Sequence, residues 1–125
     1  MKVLVVDDSK LARMSVAKVL HAVRPDWTRV EAANAEEALA LVRNAVPDIA
    51  VFDFNMPGRD GLALAAEMRA ANPAMPIAII SANHQQEIVE GARALGASFL
   101  PKPLTEQALR EFVIGAEKLL KARRQ

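Results

Sequence analysis

The sequence predicts an α/β domain with a doubly wound, five-stranded parallel sheet and five helices. Short apolar runs recur along the chain, each ended by polar or turn-forming residues, and continuous runs of this kind are typical of strands buried on both faces. Stretches with helical periodicity separate these runs, so that strands and helices alternate strictly. This alternation favours parallel strands joined by right-handed crossovers, with helices covering both faces of the sheet.

The five predicted strands cover residues 3–6, 27–33, 49–52, 77–80 and 97–100. The second strand is less apolar than the first, third and fourth, and we therefore expect it at an edge of the sheet. Of the two common doubly wound orders, five strands suit 2-1-3-4-5. This order predicts a ligand crevice beyond the carboxyl ends of the first and third strands.

The first helix is predicted from the apolar residues that follow the first strand at steps of three. Leu11, Met14, Ala17 and Leu20 are expected on its buried side, with the basic residues of the segment facing elsewhere. Pro25 is expected to close this helix.

Capping residues and chain breakers delimit the other four helices. Asn34 and Glu37 form a predicted capping box for a helix over 35–45, and Asp60 is a candidate cap for a helix over 61–72. A fourth helix is predicted over 85–95, ending at Gly96, and a fifth is predicted to begin near Thr105. The expected buried stripe of the fifth helix comprises Leu109, Phe112, Val113, Ala116 and Leu120.

Length and composition indicate one domain and exclude several classes of function. The 125 residues suffice for one ordinary domain, and we expect it to occupy residues 1–125 with a core over about 2–120. The formal net charge of +1 excludes the strongly basic field of a general nucleic-acid binder, and we expect no direct nucleic-acid binding. The hydrophobic content is 52% with only 4% aromatic residues, which indicates close helix–sheet contacts through small side chains.

The expected location is the cytoplasm. The chain has no cysteine, so that nothing in it requires an oxidising compartment. The amino-terminal apolar run is too short for a signal peptide, and no window is apolar enough for a membrane span. The sequence leaves open whether the chain is a stand-alone protein or one domain of a longer one.

Three carboxylates follow neighbouring strands of the predicted sheet. Asp7 and Asp8 come after the first strand and Asp53 ends the third. Two unit charges 4 Å apart repel by roughly 4 kcal/mol at an effective dielectric constant near 20, so such a cluster requires raised pKa values, water or a cation. Oxygen ligands at a loose edge favour Mg²⁺. Helix capping or solvated loop charges are the alternative interpretation.

A hydroxyl and an ammonium group are predicted at the same edge of the sheet. Ser81 follows the fourth strand, and Lys102 follows the fifth between two prolines. Alone, the serine is compatible with a helix cap and the lysine with an ordinary surface residue. Their common position beyond strand carboxyl ends indicates an anion site opposite the acids.

Four segments together resemble the receiver domain of two-component response regulators, the phosphoacceptor domain of the chemotaxis type. They are MKVLVVDDS at the amino terminus, DFNMPGRDG from Asp53, Ser81-Ala82 after IAII, and Lys102-Pro103 before the last helix. The resemblance covers essentially the whole chain, and the segment D-x-x-M-P-x-x-D-G is specific. It implies the flavodoxin-like fold that the order of elements already predicts.

The resemblance also implies roles for individual residues. Asp53 would be the phosphoryl acceptor. Asp8 and Asp53 would bind Mg²⁺, or alternatively Mn²⁺, together with the backbone carbonyl of Asn55, and Asp7 would hold the metal through water. Lys102 would pair with the phosphoryl group, and the peptide bond between Lys102 and Pro103 would be cis.

Further implied residues concern switching and the lifetime of the phosphorylated state. Ser81 would move to hydrogen-bond the phosphoryl group while Phe99, at a position where the family more often has tyrosine, turns inward. We therefore expect a rotamer switch that is weaker or read through shape alone, on the face of the fourth helix, fifth strand and fifth helix. Asn55 and Asn83 lie where the family sets water access, and they are expected to tune dephosphorylation.

By the same resemblance, the phosphoryl donor is a phosphohistidine on a histidine kinase or phosphotransfer protein. The output would be binding of a downstream protein or effector domain, with a homodimer left open and no membrane involved. We expect a switch that phosphorylates and dephosphorylates itself, not an enzyme with external turnover. The alternatives are an aspartate-nucleophile phosphohydrolase, whose usual Asp-x-Asp signature and cap insertion are missing here, and a receiver-like module that is never phosphorylated.

Overall fold

The computed structural model describes residues 1–83 and 85–124 and contains the predicted alternation of strands and helices. Its elements are β1 (Lys2–Val6), α1 (Lys10–Val23), β2 (Thr28–Ala32), α2 (Ala35–Asn44), β3 (Ile49–Asp53), α3 (Gly61–Ala71), β4 (Ile77–Ser81), α4 (Gln86–Ala94), β5 (Ser98–Pro101) and α5 (Glu106–Arg124). The strands form one sheet in the order β2-β1-β3-β4-β5, and every neighbouring pair is parallel. The predicted fold class and strand order are confirmed.

The sheet separates two apolar cores because successive strand residues point to opposite faces. Val5, Val51 and Ile80 belong to the core under α1 and α5, whereas Val6 and Phe52 belong to the core under α2, α3 and α4. β3 and β4 are buried along their whole length. This burial on both faces explains why their sequences read as continuous apolar runs.

The outer face of α1 differs from the prediction. Leu11 is 75% exposed and Met14 is 54% exposed, whereas Val16, Leu20 and Val23 are buried. An α-helix turns about 100° per residue, so each step of three residues falls about 60° short of a full turn. A stripe at steps of three therefore drifts away from the sheet, and its first two members point outward.

The predicted stripe of α5 is correct, because its other members follow Leu109 by three, four, seven and eleven residues, a spacing that keeps them on one face of a helix. Leu109, Phe112, Val113 and Ala116 are buried, and Leu120 packs against the same core.

The predicted helix caps are largely confirmed. Asn34 Oδ1 accepts the amide of Glu37 at 2.9 Å, and Asp60 Oδ1 accepts the amide of Ala63 at 2.8 Å. The return bond of the capping box differs from the prediction, since Glu37 accepts the amide of Ala33, at 3.1 Å, one residue before the cap. Among the described residues, no helix is long and apolar enough to span a bilayer.

Candidate functional site

Three carboxylates converge at the carboxyl edge of the sheet. Asp53 is the last residue of β3, and Asp7 and Asp8 follow β1 directly. One oxygen from each of the three side chains lies within 4.8 Å of the others. Asp7 and Asp53 are only 5% and 4% exposed, whereas Asp8 is exposed to solvent. The strand order brings these residues together because β1 and β3 are neighbours.

The position of Asp53 is fixed by the backbone around it. Asp53 pairs with Ile80 in the register of β3 and β4, and the next amide, that of Phe54, donates to the Ile80 carbonyl at 2.9 Å. The amide of Gly61 then donates to the Phe54 carbonyl at 2.9 Å. A Cβ atom at residue 61 would lie 2.4 Å from the backbone oxygen of Asp53. Glycine is therefore required for α3 to begin against the end of β3.

The loop that carries Asp7 and Asp8 is held by hydrogen bonds on both sides. The Asp7 amide donates to the Ala32 carbonyl at 3.1 Å, and Oδ1 of Asp7 accepts the Ser9 amide at 2.9 Å. Nη1 of Arg13 donates to the Asp7 carbonyl at 2.7 Å. Desolvation of the buried side chain is the largest influence on the Asp7 pKa and raises it; the charges of Asp53 and Asp8 raise it further. The Ser9 amide and Lys102 only partly offset this increase.

Lys102 is the basic residue that the structure places at the acid cluster. Its Nζ lies 2.9 Å from Oδ1 of Asp53, and its amide donates to the Ser81 carbonyl at 3.0 Å. The bond between Lys102 and Pro103 is cis, as the family resemblance predicted. Burial of the ammonium group is the largest single influence on its pKa and lowers it, but the hydrogen bond and charge of Asp53, with the charges of Asp7 and Asp8, outweigh burial and raise the Lys102 pKa.

The donor set of this cluster fits a hard divalent cation. Apart from the Lys102 ammonium, no donor among the described residues reaches the buried Oδ1 of Asp53. Three carboxylates against one ammonium leave an excess of negative charge when all are ionised. Carboxylate oxygens with an open, solvated side are the ligands that Mg²⁺ prefers. Asp8 and the loop residue Asn55 are on the exposed side.

Ser81 lies at the end of β4, with Asn83 two residues beyond. Its side chain is buried, and its Oγ accepts the Asn83 amide at 3.0 Å. The Asn83 side chain in turn accepts the Gln85 amide at 3.0 Å. In this hydrogen bond the Ser81 hydroxyl is the acceptor. The hydroxyl proton therefore remains available to an acceptor in the site. Phe99 pairs in register with Ile79 and is half-buried against the core on the side of α2, α3 and α4.

Arg13 is the residue at this site that the sequence did not single out. The helical pattern places it only among the polar residues of α1, and its contact with the Asp7 carbonyl depends on how α1 lies against β1 and β2. The available signal was its position four residues after the cap, Ser9, since the first turn of α1 begins at the acid pair.

A family model described as the response regulator receiver domain matches residues 3–114. The chain belongs to this family. Response regulator receiver domains are phosphoacceptor switches that bind Mg²⁺ at an acidic pocket, act together with kinases and downstream effectors, and are generally not classed as enzymes.

Relatives with curated descriptions include the positive alginate biosynthesis regulatory protein of Pseudomonas aeruginosa, 37% identical over 89% of this chain and 45% of that protein. The transcriptional regulatory protein PdtaR of Mycobacterium tuberculosis is 36% identical over 83% of this chain and 50% of its own length. The chain thus spans about half the length of these relatives. Protein CcdB of Bacillus subtilis differs, since 93% of its length is covered at 33% identity.

Solved receiver structures superpose on more than nine-tenths of the chain. Chemotaxis protein CheY4 of Vibrio cholerae has a TM-score of 0.82 at 29% identity, covering 92% of this chain and 97% of that one. The structure titled as the CheX-CheY-BeF3-Mg complex of Borrelia burgdorferi has a TM-score of 0.82 at 25% identity, with 92% and 87% covered.

Proposed function

We propose that this chain accepts a phosphoryl group from a phosphohistidine of a histidine kinase or phosphotransfer protein onto Asp53, in a Mg²⁺-dependent reaction. The observation that carries the proposal is the contact of 2.9 Å between Nζ of Lys102 and Oδ1 of Asp53, within a cluster that also holds Asp7 and Asp8. A carboxylate becomes a competent nucleophile for phosphorus when cations neutralise the phosphoryl oxygens.

In this reaction an Asp53 oxygen attacks phosphorus as the bond from phosphorus to the donor nitrogen breaks. The imidazole, which carries a proton on its other ring nitrogen, leaves with that electron pair, so that a neutral ring and an aspartyl phosphate result. Asp8, Asp53 and the Asn55 carbonyl would hold Mg²⁺, with Asp7 acting through water. When bound, the ion supplies positive charge to the transferring oxygens.

Lys102 contributes a second positive charge that the chain holds permanently. Its ammonium is half-buried beside Asp53, and the surrounding carboxylates keep it protonated. In the loose transition state of phosphoryl transfer, charge develops on the equatorial oxygens, and a pre-placed cation stabilises it without reorganisation. After the transfer, the Lys102 ammonium pairs with a phosphoryl oxygen in place of the Asp53 oxygen.

Ser81 and Phe99 carry the switch in this proposal. The Ser81 hydroxyl proton is available to a phosphoryl oxygen, because the Asn83 amide already donates to Oγ. Movement of Ser81 would open space toward β5, where Phe99 is half-buried and would turn inward. The switch is read by a partner on the face formed by α4, β5 and α5. Because Phe99 has no phenolic hydroxyl, the partner recognises the shape of this face.

Asn55 and Asn83 flank the acceptor and tune hydrolysis of the phosphoryl group.

The output we propose is binding of a downstream protein or effector domain inside the cell, with homodimerisation as a further form of output. Direct contact with nucleic acid is not expected from this domain, since its net charge is +1.

Incubation with acetyl phosphate and Mg²⁺ tests the proposal by intact mass. We expect a gain of one phosphoryl group, abolished in Asp53→Ala and retained in Asp26→Ala, which removes an exposed carboxylate from the turn before β2. Multiple turnover of a phosphoester would instead support an aspartate-nucleophile phosphohydrolase. A protein that gains no mass with any donor would be a receiver-like interaction module.

A further inference from the structure

Arg13 connects the acid cluster to the edge strand of the sheet. Its side chain is only 16% exposed; Nη1 donates to the Asp7 carbonyl at 2.7 Å, and Nε donates to Oε1 of Glu31 at 3.1 Å. Glu31 lies on β2, in register with Val5 of β1. One guanidinium group therefore bridges the loop after β1, helix α1 and strand β2.

We propose that Arg13, held in place by Glu31, is a positioning residue that fixes the peptide between Asp7 and Asp8 and thereby sets the affinity of the site for a divalent cation. This inference rests on the proposed function, because it takes the acid cluster to be the metal site.

The reason lies in which peptide each hydrogen bond holds. The Asp7 amide, bound to the Ala32 carbonyl, belongs to the peptide before Asp7. The Asp7 carbonyl belongs to the next peptide, which leads into Asp8, and Arg13 donates to it. Asp8 is exposed, and no hydrogen bond from the part of the chain that the structure describes holds its side chain, so its direction depends on that peptide. Groups that orient metal ligands typically change metal affinity by about 10- to 100-fold.

Electrostatics and positioning predict opposite effects for the loss of Arg13. Its charge lies one hydrogen bond from a residue of the acid cluster and repels an incoming cation. Removal of that charge alone would therefore tighten cation binding. Removal of the hydrogen bond would loosen Asp8 and weaken binding. A weaker affinity in a variant without the guanidinium group is thus explained by geometry and not by charge.

The experiment is a titration of the protein with Mn²⁺ followed by electron paramagnetic resonance, with Mg²⁺ competition. For Arg13→Ala we expect about tenfold weaker binding. Arg110→Ala is the matched control, because it removes an equal charge and an exposed pair with Glu106 on α5, and its affinity should be unchanged. Arg13→Lys keeps the charge but cannot bond both partners with one planar group, and we expect it also to bind more weakly.

A second measurement does not depend on metal. In the metal-free protein, hydrogen exchange of the Asp8 and Ser9 amides should be faster in Arg13→Ala than in wild type, with unchanged exchange in the core of β3 and β4. Glu31→Gln keeps an acceptor for Nε and should resemble wild type. Glu31→Ala should weaken Mn²⁺ binding in the wild-type background, and it should have no effect on top of Arg13→Ala.

Unchanged or tighter Mn²⁺ binding in both Arg13→Ala and Arg13→Lys would overturn the inference. If Arg13→Ala does not fold, the Mn²⁺ affinities of Arg13→Lys and Glu31→Ala test the inference instead. Failure of the proposed function gives a different result, because wild-type protein would then bind no Mn²⁺ at this cluster or take up no phosphoryl group at Asp53.

Discussion

The ammonium group of Lys102 and the carboxylate of Asp53 form an ion pair across the top of β4, with Nζ 2.9 Å from Oδ1. Asp53 ends β3, and Lys102 follows β5. The pair thus joins two strands that are not neighbours in the sheet, over the strand that ends in Ser81. A phosphoryl group bound to Asp53 would meet the lysine and the serine hydroxyl from two sides.

Substitution Lys102→Ala should lower the rate of phosphoryl uptake from acetyl phosphate by about 100-fold, because one pre-placed donor to the developing charge is lost. Mn²⁺ affinity should rise, since a cation has been removed from the acid cluster. The rate is measured by intact mass over time, and Mn²⁺ binding by titration. Lys118→Ala, on the exposed face of α5, serves as the control. A rate equal to wild type would contradict the assigned role of Lys102.

Removal of divalent cations by a chelator should abolish phosphoryl uptake, and either Mg²⁺ or Mn²⁺ should restore it. Asp8→Asn should weaken Mn²⁺ binding at least tenfold, since it removes a charged ligand while Asp53 remains. Asp48→Asn, one residue before β3 and at the opposite end of that strand from Asp53, is the control. Uptake that continues in the chelator would show that Lys102 alone neutralises the phosphoryl oxygens.

Ser81→Ala should separate phosphorylation from signalling. The variant should still gain a phosphoryl group at Asp53, because the hydroxyl is neither nucleophile nor metal ligand in the proposed reaction. After beryllofluoride treatment, the NMR shift changes around Phe99 and on α4, β5 and α5 should be much smaller than in wild type. Ser98→Ala, at an exposed position of β5, is the comparison. Full shift changes in Ser81→Ala would refute the proposed switch.

Gly61→Ala should lower the free energy of unfolding by about 2–3 kcal/mol. The added Cβ would lie 2.4 Å from the Asp53 carbonyl oxygen and 2.9 Å from the Phe54 Cα, and neither backbone atom can move without displacing Asp53. Gly115→Ala should instead raise it by about 0.5–1 kcal/mol, since nothing lies within 4 Å of the new Cβ on α5. Urea denaturation measures both, and equal stabilities would be inconsistent with the close approach at Gly61.

The strands were readily predicted because their signal is local. β3 and β4 are buried on both faces and appear in sequence as short apolar runs, each followed by Asp53 or Ser81. The caps Asn34 and Asp60 were equally predictable from the sequence, since the side chain of each cap accepts a hydrogen bond from the amide three residues later. The outward direction of Leu11 was mispredicted, because helical periodicity alone does not say which part of a wide apolar arc meets the sheet.

The sequence by itself determined the class of fold and the residue types gathered at one edge, because periodicity, strand ends and caps act over a few residues. Only the tertiary structure decided which oxygen of Asp53 meets Lys102 and that Arg13 reaches both the Asp7 carbonyl and Glu31. These contacts join residues of different elements, and their distances depend on strand register and on how α1 packs against the sheet. A change of a few tenths of an ångström in the distance between two atoms decides whether such a contact forms. No short stretch of sequence encodes these distances.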